Sequence, residues 1–126
     1  MEAMKLGLRL EPAASIYHYK NFEAYHMLDL LAEKKDIADF CCPLVMNLIE
    51  YDKNNQDIYA ETLFVYLKCG KNSKKSASTL NIHHNTMGYR LRKIEEITNI
   101  DWDDGELLAH ILCSFLILKL SKKIAF

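Results

Sequence analysis

The segment Asn72–Thr98 constrains the fold most, because it predicts two helices joined by a very short turn. Asn72 or Ser73 can cap a first, short helix that ends at Leu80. Asn81 follows, and asparagine tolerates the left-handed backbone conformation that a tight turn between helices requires. The two helices must therefore cross at close range.

The second helix, which we expect to begin near His83 or His84, has an apolar face and a polar face. Residues at helical spacing form the apolar face, namely Met87, Leu91, Ile94 and Thr98. The opposite face carries Asn85, Tyr89 and Arg92, with Lys93 beside them. A short helix with the small Ala77 at the crossing, followed by a helix divided in this way, predicts a helix-turn-helix unit.

A helix-turn-helix presents the first residues of its second helix to the base edges of DNA. This geometry makes His84, Asn85 and Thr86 the candidate base-reading residues, since asparagine can pair with adenine and the other two can donate to bases or phosphates. We expect Tyr89 to face the DNA as well. The basic side chains suit phosphate contacts, which give affinity without sequence information, and these are Lys74, Lys75, Arg92 and Lys93.

The charge distribution agrees with a polyanion as the partner, although the net charge is only −1. No Asp or Glu occurs from residue 62 to residue 94, whereas this stretch holds seven Lys or Arg residues. The rest of the chain holds 9 basic and 17 acidic residues. A basic block in an acidic chain concentrates positive potential in one place. The alternative is that these basic residues form a solvent-exposed charged surface that binds no polyanion.

The remaining sequence predicts an all-α protein, because no stretch alternates apolar and polar residues as a half-buried strand does. The expected helices cover about Met1–Leu10, Asn21–Lys34, a segment from Pro43, Asp57–Cys69 with Ile58 and Leu63 in the core, and Asp104–Leu120 with Asp103 as its cap. The polar residues 52–55 are expected to form a connector. The C-terminal helix is apolar almost all round and must be covered by the N-terminal helices, a second subunit or a further domain.

The chain resembles the C-terminal domain of PucR/CdaR-type transcription regulators over about Ala24 to Leu120. The residues that carry the resemblance are Tyr51-Asp52, Glu61-Thr62-Leu63, Tyr66-Leu67, Gly70-Lys71-Asn72, Ala77, Leu80, the run from Ile82 to Leu91, Ile94-Glu95-Glu96-Ile97 and Asp101-Trp102-Asp103-Asp104. The motif core is also similar to the DNA-binding end of Fis-type proteins. In both families the unit binds operator DNA, usually within a dimer.

Two positions depart from the family pattern. The family usually has arginine where this chain has His84, and a neutral histidine brings less charge to phosphate or guanine. Gly88 lies in the middle of the second helix, where glycine loses roughly 1 kcal/mol of helix propensity relative to alanine. These departures imply altered specificity or weakened DNA binding.

The resemblance implies an N-terminal helical linker or dimerisation segment at residues 1–52 and a PucR-type helix-turn-helix DNA-binding domain at 53–126. We expect a cytoplasmic homodimer that binds double-stranded DNA as the output part of a longer regulator with an upstream sensory region. The alternative is a helical dimerisation or protein-interaction module whose DNA binding is weakened or lost.

Other function classes find little support in the sequence. We expect no enzyme and no cofactor, because no motif with a catalytic mechanism occurs. The His83-His84 pair is a poor metal site, since neighbouring helical residues diverge by about 100° and no acidic or cysteine ligand accompanies them. The four cysteines are expected to be buried free thiols. No secretion signal or membrane span is predicted.

Overall fold

The computed structural model of the chain describes His26, Leu30 and residues 37–126. Residues 37–126 form a 3-10 helix, Ile37–Phe40, and the helices α1 (Pro43–Asn55), α2 (Tyr59–Lys68), α3 (Ser73–Leu80), α4 (His84–Thr98) and α5 (Gly105–Leu120). No strand occurs in this part of the chain, which confirms the all-α prediction. The helices expected at Met1–Leu10 and Asn21–Lys34 lie outside the described residues, although His26 and Leu30 are themselves helical.

Helix α1 begins at Pro43, as predicted, because a proline in the first turn has no N–H to leave unsatisfied. The helix continues to Asn55, so the connector expected at residues 52–55 is wrong. The Asn55 side-chain amide donates to the Tyr51 carbonyl at 2.9 Å and extends the last turn. Gln56 then adopts a left-handed conformation with φ 54° and ends the helix.

The start of helix α2 is stabilised by a side chain of helix α1. The Asp52 carboxylate accepts the Tyr59 N–H at 3.0 Å and the Ala60 N–H at 2.8 Å, two of the four N–H groups that a helix start leaves without partners. Ile58 precedes the first turn and is 49% exposed, so its expected place in the core is wrong. Leu63 is fully buried, as predicted.

The turn between α3 and α4 forms as the sequence predicts. The Asn72 side chain accepts the Lys75 N–H at 3.0 Å and caps α3. Asn81 is left-handed with φ 57°. The Ile82 N–H donates to the Ala77 carbonyl at 2.9 Å, which closes the turn over the end of α3.

Helices α1 to α4 pack on one another within a compact unit, Cys42–Leu112. Helix α2 contacts α1, α3 and α4, and α4 also contacts α1 and α3. The fully buried apolar side chains from these elements include Val45, Leu48, Leu63, Met87 and Ile94. Burial of each such side chain stabilises the fold by about 1.5–3 kcal/mol. The core therefore fixes the orientation of α4 through its Met87–Ile94 face.

Helix α5 begins differently from the prediction. The Asp104 carboxylate accepts the Leu107 N–H at 3.1 Å, so Asp104 is the cap and the assignment to Asp103 is wrong. The Asp103 N–H instead donates to the Asp101 side chain at 3.0 Å, in a turn before the helix. Within the described residues, no helix is long and apolar enough to cross a membrane.

The second compact unit contains the chain up to Cys41 together with residues 113–126. Its buried side chains include Phe115, Ile117 and Leu118, and the Phe115 and Phe126 rings lie 6.0 Å apart. Cys113 is exposed and Cys69 is only half-buried, so the expectation of four buried thiols is wrong for these two residues. The predicted division into residues 1–52 and 53–126 stays a prediction.

Candidate nucleic-acid interface

The first turn of α4 presents three polar side chains to solvent. His84, Asn85 and Thr86 are all exposed. The His83 imidazole Nδ1 accepts the Asn85 N–H at 3.1 Å, so a side chain just outside the helix holds this turn in place. That hydrogen bond requires an unprotonated Nδ1. The arrangement leaves the side chains of Asn85 and Thr86 exposed, while the exposed His84 ring lies 4.3 Å from the His83 ring.

Tyr89 lies on the same exposed side of α4, one turn further on, and is 51% exposed. The buried Tyr59 of α2 lies against it. Burial, the negative charge of Asp57 and a hydrogen bond to Tyr89 raise the pKa of Tyr59 to about 12. Tyr59 therefore stays neutral at physiological pH, and its side chain is joined to that of Tyr89 by this hydrogen bond. Tyr59 was not among the residues nominated from the sequence, since 30 residues separate it from Tyr89.

The three basic residues of α4 have three different environments. Arg90 is half-buried and donates from Nη1 to the Thr62 hydroxyl at 3.3 Å, so it joins α4 to α2. The Lys93 ammonium lies 3.5 Å from a Glu96 carboxylate oxygen, and this neighbour raises the pKa of Lys93. Arg92 is exposed. The three basic side chains therefore differ in how freely they can contact a partner, although they lie close together on one helix.

Lys74 and Lys75 are exposed in the first turn of α3. Positive charge near a helix N-terminus opposes the helix dipole and costs about 0.3–1 kcal/mol per residue. Neither α3 nor α4 has an acidic residue in its first turn to offset this effect. Helix stability thus does not account for the two lysines.

Trp102 links several parts of the fold. Its indole N–H donates to the Glu95 carboxylate, and its ring meets the Tyr66 ring edge-on at 5.3 Å. The Lys71 ammonium donates to the Trp102 carbonyl at 3.0 Å. Lys71 is thereby engaged with the protein, although it belongs to the basic stretch.

The structure places all eight nominated side chains on two consecutive helices, with seven exposed and Lys93 half-buried beside Glu96. The nominated residues are Lys74, Lys75, His84, Asn85, Thr86, Tyr89, Arg92 and Lys93. The pairing of Lys93 with Glu96 was missed, although the i, i+3 spacing in the sequence would have revealed it. Among the described residues, no group of three His, Cys, Asp or Glu side chains could hold a metal ion.

Comparison with known proteins agrees with this geometry. Residues 59–117, which run from the start of α2 into α5, match the family model for the PucR C-terminal helix-turn-helix domain. The chain is 32% identical over 91 residues to the DNA-binding transcriptional activator AdeR of Bacillus subtilis, a match covering 72% of this chain and 22% of the relative. It is 26% identical over 103 residues to the proline-responsive transcriptional activator PutR of the same organism, covering 82% of this chain and 25% of the relative.

The chain thus spans about a quarter of the length of the curated relatives it matches. No solved structure matches it. The family match covers the short capped helix, the left-handed turn and the amphipathic second helix. Residues 59–117 of this chain are a PucR C-terminal helix-turn-helix domain.

Proposed function

We propose that this chain binds double-stranded DNA in a sequence-dependent way, as the output part of a transcription regulator, with α4 in the major groove. One observation carries the proposal: α4 is buried through Met87 and Ile94 while its first turn exposes His84, Asn85 and Thr86. A recognition helix needs both an anchored face and a free polar face. The names of the two Bacillus relatives, both transcriptional activators, support this proposal.

The exposed residues divide into two roles. His84, Asn85, Thr86 and Tyr89 lie on the first turns of α4 and are assigned to base edges and the groove wall. Lys74, Lys75 and Lys93 are assigned to phosphates. Lys93 contributes less than the α3 lysines, because Glu96 already neutralises part of its charge. Arg90 is assigned to the fold because it bonds to Thr62.

Substitution of Asn85 tests the base-reading role. The preferred duplex is first selected from a randomised DNA pool with the whole chain, and affinities are measured by fluorescence anisotropy. We expect Asn85→Ala to lower the preference for that duplex over an unrelated one by roughly 5- to 150-fold, the usual worth of a paired base contact. The fold should survive, because only the backbone N–H of Asn85 bonds to His83.

A matched control separates base reading from charge. Lys74→Ala combined with Lys75→Ala should weaken binding to both duplexes equally and reduce the salt dependence, by nearly one unit of log–log slope for each phosphate that the variant no longer neutralises. If the unaltered chain bound no DNA at low salt, and the double lysine variant behaved identically, the proposed function would be wrong.

The alternative function, a helical dimerisation or protein-interaction module, predicts self-association without DNA binding in the same experiment. A homodimer, an upstream sensory region, a cytoplasmic location and the absence of catalysis remain predictions. Sedimentation of the chain with and without the selected duplex would test the dimer. A stoichiometry of two chains per duplex is the expected result, since helix-turn-helix proteins commonly bind paired half-sites.

A further inference from the structure

Arg92 folds back along α4 over Gly88. Its Nη1 atom lies 3.8 Å from the point that a Cβ on Gly88 would occupy, so the guanidinium rests against the helix surface that the missing side chain leaves bare. Long helical side chains lean toward the helix N-terminus, and here the lean covers a full turn. The guanidinium consequently sits closer to the first turns of α4 than the Arg92 backbone does.

The charge of Arg92 is available to a partner. Arg90 is bonded to Thr62, and Lys93 lies beside Glu96. By contrast, no acidic side chain in the described part of the chain pairs with Arg92, which is exposed. The guanidinium is therefore the one basic group of α4 that is both exposed and without a hydrogen-bond or ion-pair partner in residues 37–126.

His84, Gly88 and Arg92 follow one another at i, i+4 spacing and lie on one strip of the helix. His84, the first residue of this strip, belongs to the turn of α4 that is assigned to the base edges. A side chain at position 88 longer than a methyl group would occupy the place of the guanidinium. Because residue 88 is glycine, the Arg92 guanidinium can lie beside it and extend toward His84, which is two turns earlier in the helix.

We propose that Arg92 reads a guanine in the major groove, and that Gly88 is the residue that allows it to reach the base. The proposal rests on the DNA-binding function proposed above. The planar fork of arginine matches the O6 and N7 acceptors of guanine, which is the commonest specific contact between a protein and a base. The assignment replaces the phosphate contact expected for Arg92 from sequence, and it gives Gly88 a function that offsets its cost in helix propensity.

Two pairs of variants test the assignment with the selected duplex and with duplexes changed at each G·C pair. Arg92→Lys keeps the charge but removes the fork. We expect the preference for guanine at one G·C pair, roughly 5- to 150-fold in the unaltered chain, to be lost. The salt dependence of binding should be unchanged. Arg92→Ala should abolish the same preference.

The second pair separates space from charge. Gly88→Ala adds a methyl at ordinary contact distance and should retain the preference. Gly88→Leu displaces the guanidinium and should abolish the preference at the same G·C pair, although alanine and leucine are both good helix formers. Far-UV circular dichroism and thermal unfolding verify that the four variants are folded.

The outcomes distinguish this assignment from the proposed function. If the unaltered chain selects no sequence, the DNA-binding proposal itself is wrong. If it selects a site whose G·C preferences all survive in Arg92→Lys and Gly88→Leu, DNA binding stands and the assignment of Arg92 is overturned. A uniform loss of affinity in Arg92→Ala with an intact preference would make Arg92 a phosphate contact, and would also overturn the assignment.

Discussion

Two glycines near the helix-turn-helix have different backbone conformations. Gly70 ends the α2 segment in the left-handed conformation, with φ 66°, where side chains are disfavoured. Gly88 has ordinary helical geometry, and a methyl group there would meet only Arg92 at 3.8 Å. The backbone demands glycine at residue 70 and does not demand it at residue 88.

Alanine at these two positions should therefore have opposite effects on stability. We expect Gly88→Ala to raise the free energy of unfolding by about 1 kcal/mol, the difference in helix propensity between the two residues. Gly70→Ala should lower it by about 1–2 kcal/mol, the cost of a left-handed conformation for a residue with a Cβ. Urea unfolding with an unchanged m-value is the appropriate measurement. A destabilised Gly88→Ala variant would show that the helix is strained at this residue.

At the scale of single residues, the sequence predicted polar caps and turns well. Asn72 and Asn81 have the roles expected of them because each role depends on the residue's own backbone and its nearest neighbours. His83 also caps α4, as its position before the helix indicated. The hydrogen bond between Arg90 and Thr62 was not predicted, because it joins residues 28 positions apart.

Among the elements, α2 depends on α1 for its start. The Asp52 carboxylate bonds to two N–H groups of α2, and the two hydrogen bonds favour its charged form. Burial nevertheless dominates and raises the pKa of Asp52. The Asp52 carboxylate is thus well placed to accept hydrogen bonds from α2, but its partial burial disfavours its negative charge.

This raised pKa predicts how stability changes with pH. The folded chain binds a proton at Asp52 more readily than the unfolded chain does, so the contribution of this group is greatest below its unfolded pKa and is lost as the pH rises through its folded pKa. Asp52→Asn removes the titration while keeping one acceptor. We expect the stability advantage of the wild type over Asp52→Asn to shrink as the pH rises above about 4, the ordinary pKa of an aspartate in an unfolded chain.

Chemical unfolding of both chains at a series of pH values measures this difference. An advantage that grew with pH would mean that the hydrogen bonds to Tyr59 and Ala60 outweigh burial.

At the scale of the Cys42–Leu112 unit, Trp102 links elements that the chain order separates. It contacts Tyr66 of α2, Glu95 of α4 and, through its carbonyl, Lys71 before α3. The loop after α4 is therefore joined both to α2 and to α4 itself. This arrangement limits how far α4 can move independently of α2.

Stepwise truncation of Trp102 should reveal these links. Trp102→Phe keeps an aromatic ring but removes the hydrogen bond to Glu95, and we expect a destabilisation of about 1 kcal/mol. Trp102→Ala also removes the edge-on packing against Tyr66 and should cost roughly 2–3 kcal/mol, below the value for a fully buried tryptophan. The backbone hydrogen bond with Lys71 is common to both variants. Far-UV circular dichroism in urea is suitable, since both changes remove the only tryptophan. A destabilisation below about 0.5 kcal/mol in Trp102→Ala, smaller than a single weak aromatic pair would give, would exclude a linking role.

The sequence alone determined the all-α class, the cap and turn of the helix-turn-helix, and the division of α4 into two faces, because these features depend on local interactions. These features follow from helical periodicity and from the conformational preferences of asparagine and glycine. The eight nominated residues follow from the same periodicity, and their contact with DNA stays a prediction.

Only the tertiary structure decided which basic residues of α4 are available to a partner. Arg90, Arg92 and Lys93 look alike in the sequence, yet one bonds to Thr62, one folds over Gly88 and one pairs with Glu96. The tertiary structure likewise decided that Asp52 caps α2 and that Tyr59 supports Tyr89. The physical reason is that these properties depend on which side chains meet after the helices pack, and sequence periodicity specifies a face without specifying its neighbours.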